Sequence, residues 1–138
     1  LRNGKDLVNK VKNREQFRPF AGSVLEDLSH EWFDLSAING ESPYMLYTVP
    51  VLQSKRIFIP AITHVDGSCR VQTVKKGTIF YSIINEFFIR TNIPILLNTS
   101  FNLAGQPLVH TLEDAKQTFY NSELYFLYDV NTNTLMSK

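Results

Sequence analysis

Apolar residues recur at helical spacing in three segments of this chain and alternate or run unbroken in several others, which lays out its elements. Over residues 4–11, Leu7, Val8 and Val11 share one helical face and predict a short amphipathic helix that brings the chain to Lys12. The clearest helix is expected over 78–91. There Ile79, Ile83, Phe87 and Arg90 share one side, Phe80, Ile84 and Phe88 widen the apolar face, Thr78 can cap the start and Asn92 the end. A third helix is expected over 111–120, with Leu112, Ala115 and Phe119 as its packing face and the capping pattern Thr111 to Asp114 at its start. Residues 23–33 read as one helix or two short ones, with Ser29 as an N-cap for 30–33.

Strands follow from the remaining apolar runs. Ile95, Leu96 and Leu97 are too few for a helix and predict a strand over 94–98, central in a sheet and covered on both faces. Met45, Tyr47 and Val49 alternate with Leu46 and Thr48, so 44–52 is extended. A strand through Arg70, Gln72 and Val74 puts Arg70 and Gln72 on one face. Residues 124–129 form an aromatic-rich strand, and Leu135 and Met136 pair back on it after a turn at 131–133. Pro19 excludes a helix interior, so 17–21 is extended, and 34–43, rich in Ser, Asn and Gly, is a surface loop. The succession of helix 78–91, strand 94–98, helix 111–120 and strand 124–129 reads as a parallel βαβ-type unit. The elements permit an α/β fold, or α+β, with one twisted mixed β-sheet flanked by helices.

Composition narrows this picture. A chain of 138 residues, 43% hydrophobic and 20% charged, is expected to be one domain with a single core. It has no apolar run near the roughly 20 residues of a membrane span, and Lys5 and Asp6 interrupt any signal-peptide pattern, so a cytoplasmic location is expected. The start at Leu1, directly before a helical pattern, suggests an excised piece of a longer protein. A formal charge of +1 gives no global attraction to nucleic acid, so anion affinity must come from locally grouped bases. The lone Cys69 excludes an internal disulfide and reads as a small packed residue rather than a nucleophile.

Three places carry candidate chemistry. Asn98, Thr99, Ser100 and Asn102 put small neutral donors and acceptors where a buried strand should end, before Gly105 and Pro107 turn the chain. That is where open α/β sheets hold ligands, although ordinary turn formers look the same. Lys12, Arg14 and Arg18 group among Phe17, Pro19 and Phe20, and Arg18 is expected at least half buried, with Glu15 as a candidate partner. His64 and Asp66 resemble half a metal site or a catalytic pair, or an Asp-Gly turn that orients the His. Neither common glycine-rich phosphate loop is present. Lys12, Arg14, Arg18 and Arg70 with Ser100 and Asn102 instead suit a polyanion held by side chains, and phosphoryl or nucleotidyl transfer asks chiefly for positioning and charge.

The run from Lys10 to Ala21, the stretch from Ser42 to Met45, His64 through Val74, and Leu97 through Asn102 with Gly105 and Pro107 together resemble the C-terminal domain of the nodulation-type O-carbamoyltransferases. The resemblance covers essentially the whole chain in the same order. In that family the domain is similar to the threonylcarbamoyl-AMP synthase fold, whose Lys-x-Arg and distant Ser-x-Asn match Lys12, Arg14, Ser100 and Asn102. The resemblance implies a domain that takes ATP, with Mg, and carbamoyl phosphate and makes carbamoyl adenylate with release of pyrophosphate. A separate N-terminal domain, where the family's metal ion belongs, then passes the carbamoyl group to a hydroxyl of the acceptor. Carried over, Lys12, Arg14, Arg70 and Ser100 are catalytic. Arg18, Gln72, Asn98, Thr99 and Asn102 join them in binding ATP and substrate, with His64 and Asp66 second-rank and no metal ligand on this chain. Gly22 stands where the family more often has Pro, and Ser68 and Cys69 where it often has Thr and Ala.

Two expectations follow for the structure: the segment from Lys12 to Arg18, Arg70 and Ser100 share one concave face, and a sizeable apolar patch is exposed for a neighbouring domain. Two other functions stay open. One is a nucleic-acid module using the bases with Phe17 and Phe20, against which the overall charge argues, and the other is a non-catalytic docking domain of the same fold.

Overall fold

The computed structural model describes residues 4–15 and 17–138. In chain order the elements are α1 (Gly4–Lys12), β1 (Ala21–Leu25), β2 (Tyr47–Pro50), β3 (Ser68–Val74), α2 (Ile79–Thr91), β4 (Ile95–Asn98), α3 (Leu112–Tyr120), β5 (Phe126–Asp129) and β6 (Thr134–Ser137), with short 3-10 turns at Glu26–Glu31, Ser36–Ile38 and Gln53–Lys55. They fall into two compact units, one of residues 19–99 and the other of residues 4–18 and 100–138.

In the first unit β2, β3, β1 and β4 form a four-stranded sheet in that order. β1 runs parallel to β3, while β2 is antiparallel to β3 and β4 antiparallel to β1, so the sheet is mixed and helix-flanked, the α/β class that the pattern predicts. All five residues of β1 are buried. A Cβ on Gly22 would lie 2.5 Å from Ile62 Cδ1, so a larger residue there would have to turn the end of that side chain aside. Helix α2 packs on β1 and β4. Its Ile84, together with Leu25 and Val74, centres a core ringed by Leu28, Phe80, Phe88 and Leu96. Each such fully buried aliphatic side chain contributes about 1.5–3 kcal/mol. The caps of α2 act as the sequence implies: the Thr78 side chain accepts the Tyr81 N–H at 3.0 Å, and Asn92 closes the helix in the left-handed region.

Several sequence expectations give way here. The central strands are β1 and β3, and β4 lies at the sheet edge with only Ile95 of its four residues buried. An unbroken aliphatic run signals burial, but β4 uses Leu96 against α2 and leaves Leu97 half-buried at the rim. Residues 23–33 are not helical at their start. They finish β1 and continue as the Glu26–Glu31 turn, with Ser29 inside it donating to the Glu26 carbonyl at 2.7 Å. Val24, Leu25 and Leu28 fit helical spacing, yet a strand buried on both faces has no alternation to betray it. The parallel βαβ unit expected over 78–129 is absent among the described residues, since β4 pairs antiparallel with β1 and β5 pairs with β6. The strand expected over 44–52 shortens to β2 because Met45 sits at φ 57°, outside extended backbone. The loop 34–43 is pinned at its far end. The buried Ser42 donates its hydroxyl to the Val71 carbonyl at 2.7 Å and its amide to Thr73 Oγ1 at 2.9 Å.

In the second unit the capping box of α3 is complete. The Thr111 side chain accepts the Asp114 N–H at 3.1 Å while the Asp114 carboxylate accepts the Thr111 N–H at 3.0 Å. Phe119 and Ala115 of α3 are buried, and α3 packs on β5. Phe126, Tyr128 and Leu135 share one face of the β5–β6 hairpin by register, and all three are exposed. Among the described residues no helix is long and apolar enough to cross a membrane.

Candidate functional site

The face of the sheet that carries α2 changes character along its length. Register places Ala21, Ser23 and Leu25 beside Arg70, Gln72 and Val74, with Leu96 and Asn98 on the other flank. Leu25, Val74 and Leu96 form the apolar end against α2. Toward the other end the same rows carry Ser23, Gln72, Asn98 and the exposed Arg70, so Arg70 and Gln72 do share a face. Ser23, fully buried, is the hub. It donates to Gln72 Oε1 at 2.8 Å and accepts from Asn98 Nδ2 at 2.8 Å. Asn98 Nδ2 also lies 3.1 Å from Gln72 Oε1, and Gln72 Nε2 donates to the Pro43 carbonyl at 3.1 Å. Gln72 and Asn98 are thereby held in one orientation, as fixed lining at the polar end of the sheet. Ser23 escaped the sequence reading because its segment looked helical. The readable signal was one small polar residue inside an apolar run.

Neighbouring candidates play other parts. Cys69 is buried, and burial above all pushes its thiol up to about 12, so it stays protonated and packed. His64 Nε2 lies 3.1 Å from the Phe20 carbonyl and Nδ1 3.2 Å from Ser68 Oγ. Asp66 accepts the Ser68 hydroxyl at 2.6 Å and the Ser68 N–H at 2.9 Å, and these bonds hold its carboxyl below the usual range. Gly67 at φ 82° closes the turn by donating its N–H to the His64 carbonyl at 2.9 Å.

A second constellation lies in the other unit, at the end of α1. The Lys12 ammonium donates to the Ser100 carbonyl, to Ser100 Oγ at 3.2 Å and to Asn102 Oδ1 at 3.3 Å. Ser100 Oγ donates to Asn102 Oδ1 at 2.6 Å, Asn102 Nδ2 donates to the Gln106 carbonyl at 2.9 Å, and the Ala104 N–H returns to the Lys12 carbonyl at 3.1 Å. Loop and helix end are therefore tied at both the side chain and the backbone. Asn13 at φ 50° turns the chain out of α1, and the Arg14 N–H caps the Asn9 carbonyl at 3.0 Å. Burial first, and then the positive charges of Arg14 and Arg18, hold the Lys12 ammonium below its ordinary pKa. An anion placed there would reverse that shift.

Arg18 corrects an expectation. It is exposed rather than half buried, 3.6 Å from an exposed Glu15, because Phe17 is itself 82% exposed and covers nothing. Thr99, half-buried, follows β4. Two open clefts, about 550 Å³ beside Glu26, His30 and Asn39 and about 310 Å³ beside His110 and Gln117, are lined by none of these residues. Among the described residues no three His, Cys, Asp or Glu side chains gather as a metal-binding group.

Comparison with known proteins matches residues 2–137 to the family described as carbamoyltransferase C-terminus. The chain is 47% identical over 123 residues to nodulation protein NolNO of Sinorhizobium fredii, covering 87% of the chain and 18% of that protein. It is 45% identical over 123 residues to nodulation protein NolO of Bradyrhizobium diazoefficiens, covering 87% and 22%. Against the 3'-hydroxymethylcephem-O-carbamoyltransferase of Amycolatopsis lactamdurans it is 36% identical over 116 residues, covering 80% and 21%. The chain thus spans about a fifth of the length of these relatives. With nearly every residue inside the matched region, the chain belongs to the carbamoyltransferase C-terminus family.

Proposed function

We propose that this chain is the part of a cytoplasmic O-carbamoyltransferase that binds Mg-ATP and carbamoyl phosphate, which water splits into carbamate and inorganic phosphate, and that joins the carbamate oxygen to the α-phosphorus of ATP as carbamoyl adenylate, with release of pyrophosphate, for transfer to a hydroxyl acceptor by an N-terminal metal-binding domain. The observation that carries the reading is the Lys12 ammonium seated on Ser100 and Asn102, residues 88 and 90 positions away in the chain. A lysine that donates to neutral oxygens of Ser100 and Asn102, in the positive field of Arg14 and Arg18, is suited to an anion. Lys12 and Arg14 take phosphate oxygens, while Ser100 and Asn102 fix the ammonium and bond uncharged oxygens of the substrate. Arg70 is a further phosphate ligand, and Arg18 adds to the positive field. Gln72, Asn98 and Thr99 supply neutral lining, and His64 and Asp66 stabilise the turn before β3. Such an array works by positioning and by stabilising charge as it develops, and needs no nucleophile of its own.

The test is pyrophosphate release by the intact protein, dependent on both ATP and carbamoyl phosphate. A neutral hydrogen bond is worth about 0.5–1.5 kcal/mol and a charged one about 1.5–3 kcal/mol, so Arg70→Ala should weaken ATP more than Ser100→Ala does. Ser100→Ala should instead slow adenylate formation by up to about a hundredfold, the cost of losing a preorganised donor. Pyrophosphate release at the parent rate from Ser100→Ala, with ATP affinity also unchanged, would reduce Ser100 to a turn residue.

A further inference from the structure

Asn9 is a buried polar residue that the roles above leave unused. It is 4% exposed, and neither its amide nitrogen nor its amide oxygen has a hydrogen-bond partner among the described residues. Such burial is unfavourable unless something completes the bonds. Its place is informative: Asn9 and Lys12 are the buried residues of α1, three positions apart and so on the same helical face.

The chemistry of the missing partner follows from the carboxamide. Asn9 offers N–H donors and a carbonyl acceptor side by side, and both are unsatisfied. A phosphate, which only accepts, would complete the nitrogen and leave the oxygen bare. The complement is a planar group with an acceptor next to an N–H, as in a carbamoyl group or the amino edge of adenine. Lys12, one turn along the helix, decides between them. It favours phosphate close to that planar group, and carbamoyl phosphate joins the two through a single oxygen, whereas adenine is separated from its phosphates by a ribose.

Building on the reading of Lys12 as a phosphate ligand, we propose that Asn9 is the specificity-determining residue for the carbamoyl group: its carboxamide pairs with the amino group and carbonyl oxygen of carbamoyl phosphate while Lys12 holds the phosphate. The pairing distinguishes carbamoyl phosphate from acetyl phosphate, which has a methyl group in place of the donor.

The test measures binding of carbamoyl phosphate, acetyl phosphate, inorganic phosphate and ADP to the intact protein and to Asn9→Leu, which keeps the branched outline of the side chain at a somewhat larger volume and removes both polar atoms. The parent should bind carbamoyl phosphate about tenfold tighter than acetyl phosphate. Asn9→Leu should lose that preference with phosphate and ADP affinity unchanged, and its melting temperature without ligand should be equal or higher, since an unpaired polar group is gone. Asn9→Ser, smaller and still polar, should lose the preference as well and serves if the leucine variant does not fold. Retention of the preference by a folded variant overturns the assignment and leaves the Asn9 amide to an ordinary water. Weakened ADP with unchanged carbamoyl phosphate also overturns it, in favour of adenine. A parent that binds no carbamoyl phosphate removes the functional reading itself, a result distinct from either.

Discussion

Two polar constellations, one in each compact unit, are built on opposite principles. The Ser23, Gln72 and Asn98 network is neutral and anchored on a fully buried hydroxyl in a central strand, so every move of one amide breaks a bond to another. The Lys12, Ser100 and Asn102 constellation is built around a cation that burial and two neighbouring guanidiniums make uncomfortable. The first trades freedom for a fixed surface and belongs to stability. The second holds a charge at some cost to stability, the pattern expected where binding a ligand offsets the cost.

The sharpest way to break the contrast is Lys12→Met, which keeps the aliphatic stem and removes the charge. Carbamoyl-phosphate or ATP affinity should fall about 10- to 100-fold, the worth of a charged phosphate contact, while thermal stability stays level or rises. The pH dependence has a determined sign. A lysine whose folded pKa is lowered binds fewer protons folded than unfolded, so stability should rise as pH climbs from the depressed value toward the ordinary 10.5. Phosphate affinity should fall over the same window as the ammonium is lost, and both trends should vanish in Lys12→Met. Titration calorimetry and melting curves across pH read both effects. A melting temperature that drops with Lys12→Met while affinity holds would make Lys12 a structural tether.

Ser23→Val is the mirror test. It leaves Gln72 Oε1 and Asn98 Nδ2 short of a partner in a buried setting and should cost about 1–3 kcal/mol of stability in denaturant unfolding. Phosphate affinity should stay near the parent value. A large loss of affinity at full stability would make Ser23 itself a ligand contact rather than the hub that orients Gln72 and Asn98.

The two constellations also differ in how far the chain could be read for them. Helices α2 and α3 were legible because periodicity and caps agree at Thr78 and Thr111, and the strand that aligns Arg70 with Gln72 was legible by alternation. β1 was not, because Ala21, Gly22 and Ser23 are buried on both faces and carry neither alternation nor bulk. With β1 unseen, the order of strands and the hub at Ser23 were out of reach. The meeting of Lys12 with Ser100 and Asn102 has no periodicity either, and it was the likeness of the two motifs to a family that pointed to it. Asn9 gave no signal, since an asparagine on an amphipathic helix ordinarily faces water.

A smaller effect is expected at Thr111→Ala. Losing the N-cap acceptor for the Asp114 N–H should cost about 1 kcal/mol, seen as a lower unfolding midpoint with catalysis unchanged. The Asp114 carboxyl, held low first by its bond to the Thr111 side chain and then by the Thr111 N–H, adds a pH signature. Its stabilisation is complete above the ordinary carboxylate pKa and disappears as pH falls through the depressed value, and Thr111→Ala should weaken that acid dependence.

The smallest effect sharpens the comparison within the basic segment itself. Arg18 and Lys12 come from the same run of bases, but Arg18 is exposed and faces Glu15 at 3.6 Å, with both side chains more than half open to solvent. An exposed pair of this kind is worth about 0–1 kcal/mol and is screened by salt, so Arg18→Gln should barely change stability. Its charge also depresses the Lys12 pKa, as the last of three causes after burial and Arg14, so Arg18→Gln should raise that pKa slightly. Phosphate affinity should then fall only a few-fold, through the weaker positive field, and the loss should shrink as salt is added. A loss as large as that of Lys12→Met, persisting at high salt, would mean that Arg18 leaves Glu15 to grip the phosphate directly, and the division between a held cation and a solvated one would have to be redrawn.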